Sequence, residues 1–594
     1  MQPTLGHNLL LRWWLVVVLL GISQVGCIST GSRAKWRSPV VAAPQGRFHF
    51  GHRIASPLLQ QAEESYAVAH ELEGDDDPAC VDYYFQAAAT IWPEIADQLQ
   101  SEPVPTGRAY DVYHSSLTKL ISAGWNFGRF DPHVGLMVQT VGGWLTIPTN
   151  YQGFPWRSED FDFLTPVGTY KTEVIRRSYR CAGLGVPAVG VRHNQQYDAF
   201  FRGDQAFPVT VILRPRAGTD PRSFASFELS LYNPLDLPGA PVCGRQVPLE
   251  YDLSAPFAYL LQDVGRDFLT SFIQPGATAS RVGLFMIEPY QRGKIPIVLI
   301  HGLLSDPFTW GNIANEIRAR PELHQRYQIW GFEYPTGEPL LGSATMLRHQ
   351  LQQVRAELDP TGSDCALSNV LMVGHSLGGL VTKLQITQGG DPMWFSVSKR
   401  PLQEIVTSPQ IRHRLAASFY YKPSPLVTRT VFIATPHLGS PWANRPIGKL
   451  GAALAADEAT TVEQHAQLIA DNPGVFTKEF TRRNPTSIDL LRPSSPLLNA
   501  LYDSPISPRV KMHSIIGRGY WMIGAGDSDS VVPITSAEFP GVQSQFVLKA
   551  KHTQIHQKDE AIEELLRIMR VHVREFDAEC GPSLLPIHPK ENAW

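Results

Sequence analysis

Three textures of apolar and polar positions follow one another along the chain. From Ser56, the stretch SPLLQQAEESYAVAHELEG opens on Ser-Pro, sets Leu59, Ala62, Tyr66, Ala69 and Leu72 three and four residues apart, and closes on Gly74. That spacing predicts a capped amphipathic helix. VDYYFQAAATIWPEIADQL repeats the helical pattern, so the two stretches read as a hairpin of helices; the unit does not recur as a repeat array would require. From about Gly142 to Tyr259 the texture changes to short alternating runs, among them FPVTVILRP, SFELSLYNP and VPLEYDL, punctuated by Pro, Gly and Asp. Period-two alternation with such breaks predicts a β-rich, sandwich-like region.

From Gly283 the texture changes again. Apolar runs (IPIVLIHG, YQIWGFEYP, NVLMVGHS, RTVFIATPH, KMHSIIGRG and SQFVLKAKH) alternate with helical stretches near Asn312 to Arg320, at MLRHQLQQVRAELD, from Leu377, and at DEAIEELLRIMRVHV. In the helix before the GHS strand, Leu347, Leu351, Val354 and Leu358 form one apolar stripe. Continuously apolar strands between amphipathic helices predict an α/β domain with a mostly parallel sheet covered on both faces. The expected organisation is a helical segment over 48–141, a β-rich domain over 142–282, an α/β domain over 283–580 and a tail over 581–594.

Length agrees with more than one domain, since 594 residues exceed what one ordinary core serves. With 43% hydrophobic and 18% charged residues the chain has the material of a globular protein. Its 52 basic and 55 acidic residues leave a net charge of −3 with no basic stripe, so nothing calls for nucleic acid as a partner. The N-terminus changes the picture more. Arg12, the run WWLVVVLLGI and the small residues of SQVGCIST predict an export signal over 1–27, and the Ser-, Gly- and Pro-rich 28–47 a flexible tether. VGC, Val25 to Cys27, resembles a bacterial lipobox, with Gln24 departing from the usual Leu. That resemblance implies lipid attachment at Cys27 and membrane association through the N-terminus, on the extracytoplasmic side. The other five cysteines lack CxxC spacing, and zero to two disulfides are expected.

The chemistry begins where a strand ends in Gly374-His375-Ser376-Leu377-Gly378 and a helix follows at once. G-x-S-x-G in that setting is a nucleophile elbow: a serine on a sharp turn, with small residues two places to either side letting strand and helix approach. A serine nucleophile needs a base and an orienting acid, which in this arrangement follow in the order Ser, Asp, His. Asp529, directly before the apolar VVP, is the preferred acid, with Asp527 the alternative; His552, ending a strand, is the preferred base, with His556 the alternative. The amides of Leu377, opening the helix, and Leu303, in IHGLLSDPFTW, are the expected oxyanion donors. His301 and His375 read as structural. None of this chemistry requires a metal or an organic cofactor.

IHGLLS, GHSLGG, IATPHLGS, DSVVP and the late KH together resemble the α/β-hydrolase superfamily, specifically bacterial lipase-like serine hydrolases of exported or lipoprotein type. The resemblance runs from about Gly283 to His572 and implies Ser376 as nucleophile, Asp529 as acid, His552 as base, and the Leu303 and Leu377 amides as oxyanion hole. It places Thr435 to Ser440 beside the site without a covalent role. Insertions over about 389–425 and 442–503, with the aromatic runs MWFSV and ASFYY, read either as a lid over an acyl-chain cleft or as the insertions' own core. The expected activity is ester hydrolysis on an ester or lipid substrate. Acyl transfer by the same residues, and a surface lipoprotein binding through its N-terminal half on a decayed hydrolase scaffold, are the rivals.

Overall fold

A computed structural model describes residues 56–168, 175–193, 200–201, 204–262, 282–303, 305–336, 339–444, 459–481, 490–493 and 495–581, all within one compact unit, Arg47–Trp594. The expected signal, Cys27, the tether and all of the tail beyond Gly581 lie outside the described residues. Among the described residues no helix is long and apolar enough to cross a membrane.

The helical texture gives α1 (Pro57–Gly74), α2 (Cys80–Ser101) and α3 (Gly107–Asn126). Ser56 caps α1 as its spacing requires, its Oγ accepting from the Leu59 amide at 3.0 Å. The alternating runs form β1 (Thr149–Gln152), β2 (Phe163–Pro166), β3 (Val186–Arg192), β4 (Gln205–Pro215) and β5 (Phe227–Tyr232), a sheet of order β1-β5-β4-β3-β2. The expected sandwich is not what covers this sheet. One face packs on the three helices, in a core running from Ala62 through Tyr113 and Phe207 to Leu249, and the other meets α4 (Ala255–Gln262) through Val189, Val191 and Ala255. Alternation reports that a strand has two faces, not whether a helix or a second sheet lies against them. The boundary expected at 141/142 also falls away. Gly142-Gly143 belongs to the turn end of a hairpin whose register runs from Leu136↔Ile147 to Thr140↔Gly143, and helices and sheet form one domain.

The apolar runs after Gly283 form β6 (Gly283–Met286), β7 (Ile295–Ile300), β8 (Tyr327–Glu333), β9 (Val370–His375), β10 (Val427–Ile433), β11 (Lys511–Arg518) and β12 (Ser544–Lys549). Their order is β6-β8-β7-β9-β10-β11-β12, with β6 antiparallel to β8 and every other pair parallel. Between them run α5 (Gly311–Arg318), α6 (Leu340–Leu358) and α7 (Leu377–Ile386), and α12 (Asp559–Cys580) closes the chain. The predicted stripe of α6 is buried at Leu347, Leu351 and Val354. One core fills the face under α6 and α7, and a second the face under α5 and α12. Parallel strands bring their carboxyl ends to one edge, and there the functional loops gather. Cys365, ahead of β9, is bonded to Cys580 at the end of α12; Cys80, Cys181 and Cys243 are free thiols.

The insertions add α8 (Asp391–Phe395), α9 (Pro409–Phe419), α10 (Ala459–Asp471) and α11 (Pro496–Asp503); 445–458 and 482–489 lie outside the described residues. Their buried aromatics Trp394, Phe419, Tyr421 and Phe476 join the core under α6 and α7, while Phe395 is exposed. Trp394 is fully buried edge-on against Phe419 and donates its indole N–H to the Arg400 carbonyl at 2.7 Å.

Candidate active site

Ser376 sits between β9 and α7 with φ +54° and ψ −120°, a backbone conformation that L-residues avoid. The flanking glycines are there for space. A Cβ at Gly374 would lie 2.4 Å from the Gly378 carbonyl oxygen, and one at Gly378 would lie 2.4 Å from the carbonyl oxygens of both Ile300 and His301. Strand, elbow and the preceding loop are therefore in backbone contact, as the motif's spacing anticipates.

Three buried side chains from three loops meet here. Ser376 Oγ and His552 Nε2 are 2.8 Å apart, and His552 Nδ1 and Asp529 Oδ2 are 2.7 Å apart. A carboxylate only accepts, so when the imidazole carries one proton that proton belongs on Nδ1, which leaves the Nε2 lone pair facing the serine hydroxyl. The other carboxylate oxygen of Asp529 accepts from the Val531 and Val532 amides at 2.9 and 2.7 Å. The His552 amide donates to the Asp529 carbonyl at 2.8 Å, so the two loops hold each other by backbone as well as by side chain. The VVP that follows Asp529 thus supplies donors to its carboxylate.

The two alternatives stand elsewhere. Asp527 lies in the short strand Gly526–Ser528, paired with Trp521, and its Oδ1 accepts from the Gly519 amide at 2.6 Å. His556 Nε2 lies 2.6 Å from Thr309 Oγ1, its ring centre lies 4.5 Å from that of His375 with the planes tilted by 46°, and burial pushes its pKa down to about 3. A group so hard to protonate is a poor proton carrier near neutral pH.

Leu377 opens α7, where an amide has no acceptor within the helix and the helix dipole favours negative charge. Leu303 follows Gly302, whose Cβ would lie 2.9 Å from His375 Nδ1 and 3.1 Å from Ser376 Cβ, so this loop passes directly over the serine. His301 shapes the loop. Its Nε2 lies 3.4 Å from the Tyr334 amide and its Nδ1 3.1 Å from the Gly302 carbonyl, while the Tyr334 hydroxyl donates to the His301 carbonyl at 2.8 Å. Burial holds the His301 pKa at about 4, so the ring is neutral.

Two contributions were not legible in the motifs. His375 Nε2 donates to the His552 carbonyl at 3.0 Å, tying the elbow to the loop of the expected base, and burial holds this ring neutral too. The ATPHLGS loop ties the serine helix to the segment after Asp529. A Cβ at Gly379 would collide with Thr435 Oγ1 at 1.8 Å, the Leu438 amide donates to Ser536 Oγ at 3.1 Å, and Ser440 Oγ donates to the Val531 carbonyl. Positive φ at Ala434 and Ser530 adds two strained residues to Ser376 at this edge of the sheet. Only pairs of loops reveal such contacts, and one chain position shows neither partner.

A cavity of about 330 Å³ opens between the insertions and the start of α6. Its wall is mostly apolar, with Leu340, Leu341, Ile411, Leu415, Phe419 and Phe480 prominent in it. Of the aromatic runs, only Ser396, Val397, Ser418 and Phe419 reach this wall. Among the described residues no group of three or more His, Cys, Asp or Glu converges as a metal site would require.

No family model and no curated protein matches the chain. Solved structures similar to it include the mature lipase BlEst2 of Bacillus licheniformis, 16% identical with a TM-score of 0.28 over 48% of this chain and 97% of that one. EstA from Clostridium botulinum is 11% identical with a TM-score of 0.30 over 47% and 87%. Esterase B from Lactobacillus rhamnosis, inhibited by a tributyrin phosphonate, is 16% identical with a TM-score of 0.29 over 55% and 96%.

Proposed function

We propose that this protein is an exported serine hydrolase that cleaves carboxylic esters through an acyl-enzyme. The observation that carries the reading is the unbroken hydrogen-bonded chain from Ser376 through His552 to Asp529 at the end of a parallel sheet. Ser376 Oγ bonds to the ester carbonyl carbon as its proton passes to His552 Nε2, and the carbonyl electron pair moves onto the oxygen between the Leu303 and Leu377 amides. Collapse of that intermediate breaks the bond to the alcohol, which leaves with the proton from His552. Water then gives a proton to His552, attacks the acyl carbon and releases the acid, and Ser376 recovers its proton. Asp529 holds the imidazole in the required tautomer and balances its charge when protonated.

Export is supported by the N-terminal pattern and by the Cys365–Cys580 bond, which suits an oxidising compartment. Lipid attachment at Cys27 would keep the enzyme at the extracytoplasmic face of a membrane. The apolar cavity between the insertions is of a size that ligand pockets have, but neither the triad nor Leu303 or Leu377 lines it, so the preferred acyl chain rests on the ester series below.

A chain-length series of p-nitrophenyl esters tests this with the parent protein and its Ser376→Ala, Asp529→Ala and His552→Ala variants. The expected result is turnover by the parent and a loss of about 10³-fold or more in kcat for the Ser and His variants. No turnover of any ester by the parent, or variants that keep its rate, would contradict the proposal.

A further inference from the structure

The N-terminal domain meets the catalytic half at the roots of the two loops on which the proposed chemistry depends. One root is α5, reached directly from the loop of Leu303; the other is the segment from His552 to the start of α12. Ile175, Phe257 and Ala258 from the N-terminal half belong to the same buried core as Trp310, Ile313 and Ile317 on the first root and Ile555 and Ile562 on the second.

Polar contacts set the register of that packing. The Arg176 amide donates to Asn312 Oδ1 on α5 at 3.1 Å, and its guanidinium donates to the Gln557 carbonyl beside His556, so one residue spans both roots. The Tyr179 hydroxyl donates to the buried Glu316 carboxylate at 2.6 Å. Fully buried Ser254 donates to Asn315 Oδ1 at 2.9 Å, while Asn315 Nδ2 donates to the Arg177 carbonyl at 2.8 Å. Arg177 pairs with Asp559 at 3.1 Å, and this contact, like those of the Arg176 side chain, is half-exposed and adds less than the buried bonds of Tyr179, Ser254 and Asn315.

From these roots the contact continues inward. Thr309 meets His556, whose ring packs at a tilt against those of Trp310 and His375, and His375 donates to the His552 carbonyl. We infer that residues 175–179 and α4 form a clasp through which the N-terminal domain positions the oxyanion loop and the His552 loop against each other, with Arg176 and Tyr179 as positioning residues. The catalytic consequence rests on the proposed hydrolase reading; the mechanical one does not. Displacements of the order of an ångström between such loops weaken catalysis severalfold to a hundredfold without touching the reacting groups.

The test uses the full chain with Arg176→Ala and Tyr179→Phe, singly and combined, and Arg176→Lys as the conservative variant. Amide hydrogen exchange reads the clasp without activity. The combined variant is expected to exchange at least about tenfold faster at 301–311 and at 551–558 together, with β9 unchanged. Given ester turnover by the parent, kcat is expected to fall about tenfold with KM within about twofold, and Arg176→Lys, which can still donate to the Gln557 carbonyl, to recover part of it. Unchanged exchange in the combined variant overturns the clasp. So does faster exchange with unchanged kcat, or a rate loss that merely tracks the unfolded fraction. A parent protein that takes no fluorophosphonate counts against the hydrolase reading, and the exchange result then decides the clasp by itself.

Discussion

The N-terminal domain and the half proposed to be catalytic are each built on a sheet, and the direction of their strands separates what the two can do. In the N-terminal sheet only β1 and β5 run parallel; β5, β4, β3 and β2 alternate, so connections leave from both edges. In the catalytic half six strands run parallel, and their carboxyl ends deliver Leu303, Ser376, Asp529 and His552 to one edge from positions up to 249 residues apart (552 − 303). An antiparallel sheet spreads its loops, whereas a parallel one collects them. Away from the 175–179 clasp, polar residues of the N-terminal domain serve its own fold. Tyr113, fully buried, both donates to the Leu213 carbonyl and accepts from its amide, at 2.9 and 3.0 Å, closing the stretch of β4 that runs beyond β3.

The comparison predicts which half answers in activity and which in stability. The largest effect is expected from Ser376→Ala, about 10³-fold or more in kcat with the denaturation midpoint held, read by ester turnover beside urea unfolding.

Acid is expected to act next, and on the catalytic half. His301, buried at the site with a pKa of about 4, and His324, His556 and His572, each at about 3, are neutral in the folded chain, while unfolded histidine titrates near 6.5. Between those values the unfolded chain binds more protons, so the stability present above about pH 6.5 is lost as pH falls toward 3 to 4. Each such residue removes up to about 1.4 kcal/mol per pH unit in that window. Urea unfolding from pH 7 to 4 checks this, and a stability that stays level would contradict it.

Cys365→Ser with Cys580→Ser, which opens a loop between residues 215 apart in sequence, is expected to cost about 2–5 kcal/mol with kcat intact in the folded fraction. The smallest effect is expected in the other half. Tyr113→Phe strips both partners from Leu213 and is expected to cost about 1–3 kcal/mol in stability while ester turnover stays unchanged. A fall in kcat without unfolding at Tyr113, which lies outside the 175–179 clasp, would break the division between the halves.

Legibility in the sequence follows the same division. The elbow at Ser376 is dictated by local sterics, the choice of Asp529 over Asp527 rests on the VVP that follows it, and that of His552 over His556 on where a strand ends; the structure brings these three side chains together. The stripe on α6 was equally plain, since one face of a helix records what it packs against. The layer covering the N-terminal sheet was not, because alternation at Val209, Val211 and Leu213 is the same under a helix as under a strand. Gly142-Gly143 looked like a boundary because a hairpin turn and a linker use the same residues. The bond of Cys365 to Cys580, the reach of His375 to the His552 carbonyl and the span of Arg176 from Asn312 to Gln557 join positions far apart in the chain, and no spacing rule encodes them.

The measurement that bears most directly on the central claim is stoichiometric labelling of the purified chain by a fluorophosphonate, followed by peptide mapping. One adduct per chain on Ser376, lost in Ser376→Ala and slowed by orders of magnitude in His552→Ala, is the predicted result. No adduct on the folded chain, or an adduct on another residue with Ser376 unmodified, would contradict it.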